Sequence, residues 1–205
     1  EGVYPDAAGQ PLKDIGAHVD VMRELLKRGV NKFIPAVLSP PAWMKTNDSY
    51  VQGGALKTSM YGEFARVCAE YCKLMKRDVG IYPYAFSIQN ELAFVEPYGS
   101  CVYTPEQFRQ VLKVVGEKFV AEGIPTRMYG PECMGTYTRG DGVRNYMAPL
   151  RDDRTTAAYL KSLAVHSYKD GIAIDYGSAP GWSSIRTEAA LFGIPVWMTE
   201  TGGYA

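Results

Sequence analysis

Two apolar runs in this chain each close on a glutamate. Residues 84–91 read YAFSIQNE and end at Glu91, and residues 194–200 read IPVWMTE and end at Glu200. A short, mostly apolar run bounded by polar residues is typical of a buried strand of a parallel sheet. Because parallel strands bring their carboxyl ends to one edge of a sheet, we expect the two carboxylates to share that edge.

Helical and strand patterns alternate along the rest of the chain. Thr104 opens one helix with a capping box and a proline at its first position, and Gly29 and Gly123 each end a helix. The predicted helices cover residues 15–26, 59–77, 104–122, 155–161 and 183–192. The predicted strands cover residues 33–38, 84–89, 126–130, 163–165 and the run that ends at residue 200.

This alternation predicts a parallel α/β fold. Polar residues follow several different strands, as they do in a (β/α)8 TIM barrel, and no glycine-rich phosphate motif follows the first strand. Only five strands can be counted, whereas a complete barrel needs about 250 residues. We therefore expect an incomplete barrel: one partial catalytic domain over residues 1–205, with no second domain. Pro35 places the first strand at an edge or a bulge.

Composition narrows the class of protein. The chain has 205 residues, and its 22 basic side chains balance its 22 acidic ones, which does not favour a nucleic-acid partner or a polybasic membrane surface. No apolar run approaches the length of a membrane span. With two histidines and no CxxC or HExxH motif, we expect no metal and no cofactor.

Four cysteines are too few for a disulfide scaffold in a chain of this length. Cys68 and Cys72 lie four residues apart on one stripe of a predicted helix, so we expect two buried thiols. Cys101 and Cys133 each follow a predicted strand. They either meet across adjacent loops as a disulfide or stay reduced.

Three motifs, in the right order, resemble those of glycoside hydrolase family 30. They are residues 39–45 (SPPAWMK), 87–91 (SIQNE) and 197–200 (WMTE). Weaker support comes from residues 103–107 (YTPEQ), 130–132 (GPE) and 166–168 (HSY). The family consists of retaining β-glycosidases built on a (β/α)8 barrel, usually with an attached β-sandwich.

The resemblance implies a role for each matching residue. Glu91 would be the acid/base and Glu200 the nucleophile, while Asn90 would bind the 2-hydroxyl of the sugar at the cleaved bond. The remaining candidates for contact with the substrate are Trp43, Glu132, His166, Tyr168 and Trp197. The carboxylates of a retaining pair lie about 5–5.5 Å apart, and we expect that spacing here.

Simpler interpretations remain for most of these residues. Asn90 could be only a turn residue that ends a strand, and Trp43 could be only part of the barrel packing. His166 and Tyr168 could be structural, and Glu132 could support the site without touching a ligand. We interpret Lys45 as a loop charge rather than a ligand.

The chain also departs from the family. Leu92 stands where a proline usually follows the acid/base. The first, second and eighth strands and the β-sandwich have no counterpart, so strands three to seven would leave two open sheet edges. We therefore expect a fragment, a chain that needs a partner, or a chain that self-associates through these edges. The resemblance implies a secreted or periplasmic location, and we expect an N-terminal segment to be missing from this sequence.

The substrate expected by family analogy is a β-linked polysaccharide, with xylan or glucuronoxylan first. β-1,6-Glucanase, β-1,6-galactanase and glucosylceramidase-like activities remain open. The alternative from another functional class is a barrel fragment that binds carbohydrate without catalytic activity. An aldolase-type barrel is disfavoured, because no lysine closes a predicted strand to form a Schiff base.

Overall fold

The computed structural model describes residues 16, 18–135, 142–168 and 179–201, with side chains from residue 181 in the last range. The helices are α1 His18–Lys27, α2 Tyr61–Val79, α3 Pro105–Ala121, α4 Val143–Asp152, α5 Arg154–Ala157 and α6 Ala179–Phe192. The strands are β1 Ala85–Phe86, β2 Arg127–Cys133, β3 Leu160–His166 and β4 Val196–Glu200. The start predicted for the first helix, at residue 15, lies outside the described residues.

The four strands form one sheet in the order β1-β2-β3-β4. Every pair is parallel, with Phe86 opposite Met128 in the first pair and Ala164 opposite Trp197 in the last. A parallel sheet in sequential order with intervening helices is part of a (β/α)8 barrel. The predicted α/β class and the incomplete barrel are both confirmed.

The first predicted strand, over residues 33–38, is wrong as a regular strand. The segment is extended and lies beside β1, but its only bridge joins Ala36 to Ser87. Pro35 accepts a bond from the Ser87 N–H at 3.0 Å and has no N–H to donate in return. The Phe33 carbonyl accepts from Tyr84, which completes an irregular ladder at this edge.

The sheet has two different faces. Its outer face packs against the helices and buries Phe86, Met128, Leu163 and Val165 in the main hydrophobic core. Its inner face carries a smaller cluster of Ala85, Tyr129 and Ala164, with Tyr84 and Trp197 packed against it. The outer face supplies the rigid scaffold, so the inner face and the carboxyl edge can carry polar groups.

Helix α3 begins as predicted. The Thr104 hydroxyl accepts from the Gln107 N–H at 3.2 Å, and the Gln107 side chain accepts from the Thr104 N–H at 2.9 Å. Its predicted apolar face is buried: Phe108, Val111, Leu112, Val115 and Phe119. The capping box and this face fix where the loop after β1 must end.

Two helical segments also differ from the sequence prediction. The helix predicted over residues 155–161 is the four-residue α5, and β3 already begins at Leu160. Helix α4 was not predicted, because Pro149 inside it breaks the usual helical pattern. Four apolar side chains nevertheless bury one face of α4: Val143, Tyr146, Met147 and Leu150.

All four cysteines are buried thiols rather than disulfides. Cys68 and Cys72 lie in the core of α2, as predicted. The open question of Cys101 and Cys133 is thus answered for this structure against a disulfide. Among the described helices, none is both long and apolar enough to span a bilayer.

Candidate active site

Polar side chains gather at the carboxyl edge of the sheet. Glu91 follows β1, Glu132 is the penultimate residue of β2, His166 ends β3 and Glu200 ends β4. Residues His166 and Glu200 face each other directly in the β3–β4 register. The edge predicted from the two glutamate-terminated runs therefore exists, and it brings together residues from four neighbouring strands.

The backbone is unusual at two of these glutamates. Glu91 has φ 44° and Glu132 has φ 59°, a left-handed conformation that is costly for residues with a Cβ. The Glu91 N–H donates to the Glu132 carbonyl at 3.0 Å, which ties the two turns together. Such strained positions cluster at functional sites, where surrounding contacts hold them in place. Both side chains are thereby directed towards the end of β3.

His166 lies at the centre of the cluster. Its ring is completely buried, with Nδ1 2.9 Å from Glu91 Oε1. Its Nε2 lies 3.6 Å from Glu132 Oε2 and 3.6 Å from Glu200 Oε2, an ion-pair distance rather than a hydrogen bond. Burial lowers the pKa of His166, but the Glu132, Glu91 and Glu200 carboxylates outweigh it and raise the pKa to about 9. The ring is therefore an imidazolium at neutral pH.

Glu200 is the open carboxylate of the site. Half of its side chain is exposed, at 49%. The Tyr168 hydroxyl donates to Glu200 Oε1 at 2.6 Å, and the Ser167 N–H donates to the Glu200 carbonyl at 3.1 Å. The loop after β3 thus orients the carboxylate and leaves room for a ligand beside it.

Glu132 is enclosed by the same edge. Its side chain is buried, and the Thr199 hydroxyl donates to its Oε1. With His166 beside its other oxygen, Glu132 links β3 and β4 across the sheet end. This arrangement fits the supporting role that the sequence left open for Glu132, while contact with a substrate stays a prediction.

The two tryptophans predicted to contact the substrate pack against other parts of the fold. Trp197 is two strand positions before Thr199 and stacks on Tyr84 on the inner face of the sheet, with ring centroids 6.1 Å apart. Trp43 lies in a short 3-10 turn and packs against the main core. Asn90 is held by its backbone, since its N–H donates to the Val37 carbonyl at 2.8 Å. Sugar contacts by these three residues stay predictions.

Lys45 lies in a loop, but its charge is buried. Its side chain is completely buried, and Nζ donates to Ser39 Oγ at 3.0 Å, Tyr50 O at 3.3 Å and Ser100 O at 2.6 Å. Burial lowers the pKa of its ammonium group. Lys45 therefore joins the loop before α2 to the loop after β1, the loop that also carries Glu91.

Glu96 is the site residue that the sequence analysis missed. It lies in the loop after β1 and is buried, and its burial, together with the nearby Glu91 carboxyl, raises its pKa to about 8. No periodic pattern covers this loop, and a glutamate in a loop normally points to solvent. The burial of Glu96 could therefore not be predicted from spacing alone.

Metal binding is not indicated for this cluster. Over the residues described, no group of three or more His, Cys, Asp or Glu side chains has an arrangement that could hold a metal ion. The arrangement combines the enclosed carboxyls of Glu91 and Glu132, the open carboxylate of Glu200 and the His166 imidazolium between them. An enclosed carboxyl and an open carboxylate suit proton donation combined with nucleophilic attack.

Several solved structures with a similar fold are glycoside hydrolases. A family 30 subfamily 8 xylanase from Clostridium acetobutylicum is 27% identical, with a TM-score of 0.73 over 92% of this chain and 43% of its own. An endo-β1,6-glucanase is 23% identical, with a TM-score of 0.78 over 91% of this chain and 41% of its own. A family 39 β-xylosidase from Caulobacter crescentus is 19% identical, with a TM-score of 0.67 over 99% and 44%.

These comparisons confirm the resemblance to glycoside hydrolase family 30 and the partial TIM barrel. The family 39 enzyme shows that the fold itself extends beyond family 30. The chain spans about two-fifths of the length of these structures. Neither a protein-family model nor a curated protein matched the sequence.

Proposed function

We propose that this chain carries the catalytic pair of a retaining glycoside hydrolase that cleaves a β-linked polysaccharide. Glu91 is the acid/base and Glu200 is the nucleophile. The observation that carries the proposal is the His166 ring, which lies 2.9 Å from Glu91 and 3.6 Å from Glu200. Two glutamates at the carboxyl edge of the sheet are thus gathered around one imidazole, and a retaining mechanism needs two carboxyl groups close to each other.

The reaction divides between the two carboxyl groups. Glu91 gives a proton to the leaving glycosidic oxygen while Glu200 attacks the anomeric carbon and forms a glycosyl ester. Glu91 then takes a proton from water, and that water releases the sugar from Glu200 with net retention. The predicted carboxyl separation of about 5–5.5 Å belongs to this mechanism.

The preferred substrate is β-1,4-xylan, including glucuronoxylan. Support comes from the xylanase among the structural neighbours and from the matching motifs. A neighbour that is an endo-β1,6-glucanase keeps β-1,6-glucan as the next candidate. Asn90 would bind the sugar 2-hydroxyl, with Trp43 and Tyr168 along the cleft. A secreted or periplasmic location and one partial domain over residues 1–205 complete this proposal.

The test measures reducing-sugar release from glucuronoxylan, with β-1,6-glucan and β-1,6-galactan as parallel substrates. We expect release from xylan, a β-anomer as the first product by proton NMR, and loss of release in Glu200→Ala. Glu117→Gln is the matched control, because Glu117 lies exposed on α3. An α-anomer as the first product would overturn the retaining assignment.

A carbohydrate-binding barrel fragment without turnover is the second candidate. It is favoured by the exposure of apolar residues beside the sheet edges, including Ile34, Leu38 and Met198. In the described part of the chain, four strands form part of a barrel wall. Binding of xylo-oligosaccharides without release of reducing ends would support this candidate. Elution as a dimer would support self-association through the open edges.

A further inference from the structure

The motif of residues 39–45 is joined at its two ends by a side-chain hydrogen bond. A short 3-10 turn over Ala42–Met44 lies between these ends. Lys45 Nζ donates to Ser39 Oγ at 3.0 Å, and both side chains are completely buried. The first and the last residue of the motif therefore form one buried polar pair.

The Lys45 ammonium also reaches two other segments of the chain. Nζ donates to the Ser100 carbonyl at 2.6 Å and to the Tyr50 carbonyl at 3.3 Å. An ammonium has three protons, and these two carbonyls and the Ser39 hydroxyl accept all of them. Burial lowers the pKa of Lys45, and burying an ammonium among uncharged oxygens costs free energy. An apolar side chain could fill the same space, but only a triple donor fixes three segments in one arrangement.

One of these segments holds the chain that leads into the proposed acid/base. Residues 37–38 lie directly before Ser39, and their carbonyls accept from the Asn90 N–H at 2.8 Å and from the Gln89 side-chain amide at 2.7 Å. The same amide donates to the Asn90 carbonyl at 2.9 Å. The position of the peptide before Glu91 therefore depends on where the segment that ends at Ser39 lies.

A second segment holds the chain that leaves the acid/base. The Leu92 carbonyl, directly after Glu91, accepts from the Tyr103 N–H at 2.8 Å and closes the loop of residues 92–103 at its base. Ser100 lies within this loop, and its carbonyl is the nearest of the three acceptors of the Lys45 ammonium. Both flanks of the acid/base are therefore tied to the same buried ammonium.

We propose that Lys45 is a positioning residue for the acid/base: its ammonium holds the segments on both sides of Glu91 and so fixes the turn from which the Glu91 carboxyl donates its proton. The inference rests on the proposed function. Glu91 has φ 44°, a left-handed conformation that persists only where the surrounding contacts hold it. Glu200 ends β4 and is bonded instead to Ser167, in the loop after β3. Lys45 therefore acts on proton transfer and not on nucleophilic attack.

The first test needs no turnover and measures amide hydrogen exchange by NMR. Lys45→Met keeps most of the buried side chain and removes its three hydrogen bonds. The N–H groups of Asn90 and Tyr103 should then exchange about 10-fold faster, the effect of losing about one net hydrogen bond. The Ser167 N–H, which bonds the Glu200 carbonyl at 3.1 Å, should keep its rate. Unchanged rates at the first two amides, or equal acceleration at all three, would overturn the proposal.

Two further variants complete the exchange experiment. Lys113→Met is the matched control, because Lys113 is a half-exposed lysine on α3, and it should leave every rate unchanged. Ser39→Ala keeps the ammonium and removes one of its acceptors, so the Asn90 amide should exchange faster than in wild type but slower than in Lys45→Met. If Lys45→Met does not fold, Ser39→Ala decides the question, and a wild-type exchange rate at Asn90 would contradict the proposal.

The second test compares two substrates. Lys45→Met should lower kcat on xylan by up to about 100-fold with little change in KM, the scale on which a displacement of about 1 Å acts. An aryl xylobioside with an acidic leaving group needs little protonation, so its first-step burst should stay close to that of wild type. An equal loss on both substrates would show a general structural role and would contradict the proposal. If the chain releases no sugar from any substrate, the proposed function fails, while the exchange rates still decide whether Lys45 holds the turn at Glu91.

Discussion

The surroundings of Glu91 and Glu200 differ sharply, although both residues lie at the same carboxyl edge of the sheet. Glu91 is 7% exposed, sits at a left-handed backbone position and lies 2.9 Å from the His166 ring. Glu200 is 49% exposed, ends a five-residue strand and accepts a hydrogen bond from Tyr168. The difference teaches that the two roles are assigned by environment. In the proposed mechanism, the carboxyl that changes protonation is the enclosed one and the carboxylate that attacks is the open one.

The largest effect should come from the open carboxylate. Replacing it in Glu200→Gln removes the attacking group, so kcat should fall by roughly 10⁴-fold or more, the scale on which loss of a covalent nucleophile acts. Reducing-sugar release from xylan measures the change. Because the side chain is half exposed, the melting temperature should stay within a few degrees of wild type.

Replacing the enclosed carboxyl of Glu91 should lower kcat less, and the loss should depend on the leaving group of the substrate. Glu91→Gln should lower kcat on xylan by about 10²–10⁴-fold, the range of general acid catalysis. An aryl glycoside with an acidic leaving group needs little protonation, so its first-step burst should survive. Equal loss on both substrates would remove the distinction between the two glutamates. Glu117→Gln serves as the control.

Replacing His166 tests the enclosed side of the site, around Glu91, through the free energy of unfolding. Its pKa is about 9 in the fold against about 6.5 unfolded, so its stabilisation is complete below pH 6.5 and disappears as the pH rises through 9. Urea unfolding should show that His166→Asn removes up to about 3 kcal/mol of the free energy of unfolding at pH 6.5 and much less at pH 9.5.

The variant is compared with wild type at each pH, because the titration of other groups, including Glu96, also changes the free energy of unfolding with pH. His18 lies exposed on α1, so His18→Asn is the matched control. A wild-type minus variant difference that does not change with pH would contradict an imidazolium at this position.

Replacing Tyr168 tests the open side of the site, around Glu200, and should have the smallest effect on kcat. Its hydroxyl bonds a carboxylate at 2.6 Å, and such charged hydrogen bonds contribute about 1.5–3 kcal/mol. Tyr168→Phe should therefore lower kcat about 10- to 150-fold without moving the alkaline limb of the pH profile. Tyr82→Phe, near Lys76 on the α2 side, is the control. A shifted alkaline limb in Tyr168→Phe would show that the two sides are not separate.

The sequence predicted the elements whose patterns are local. The apolar run before Glu200 became β4, and the Thr104 capping box began α3. The first strand failed because Pro35 cannot complete the ladder beside β1. Helix α4 was missed because Pro149 interrupts its pattern, although tertiary packing buries one face of it.

The site was predictable only where a residue lies at or just after the end of a predicted strand. Glu91, Glu132, His166 and Glu200 were found in this way, and the parallel sheet explains why they meet. Lys45 and Glu96 were not, because their burial depends on loops that pack together from distant parts of the chain. Lys45 reaches the carbonyl of Ser100, 55 residues away, and no spacing rule relates such positions.

The central claim is that the open carboxylate attacks and the enclosed one transfers the proton. A 2-deoxy-2-fluoro-xylobioside with a reactive leaving group slows release of the glycosyl ester, and peptide mapping by mass spectrometry then identifies the labelled residue. The account predicts one sugar attached to Glu200. A label on Glu91 or Glu132, or turnover of this substrate to an α-anomer, would contradict it.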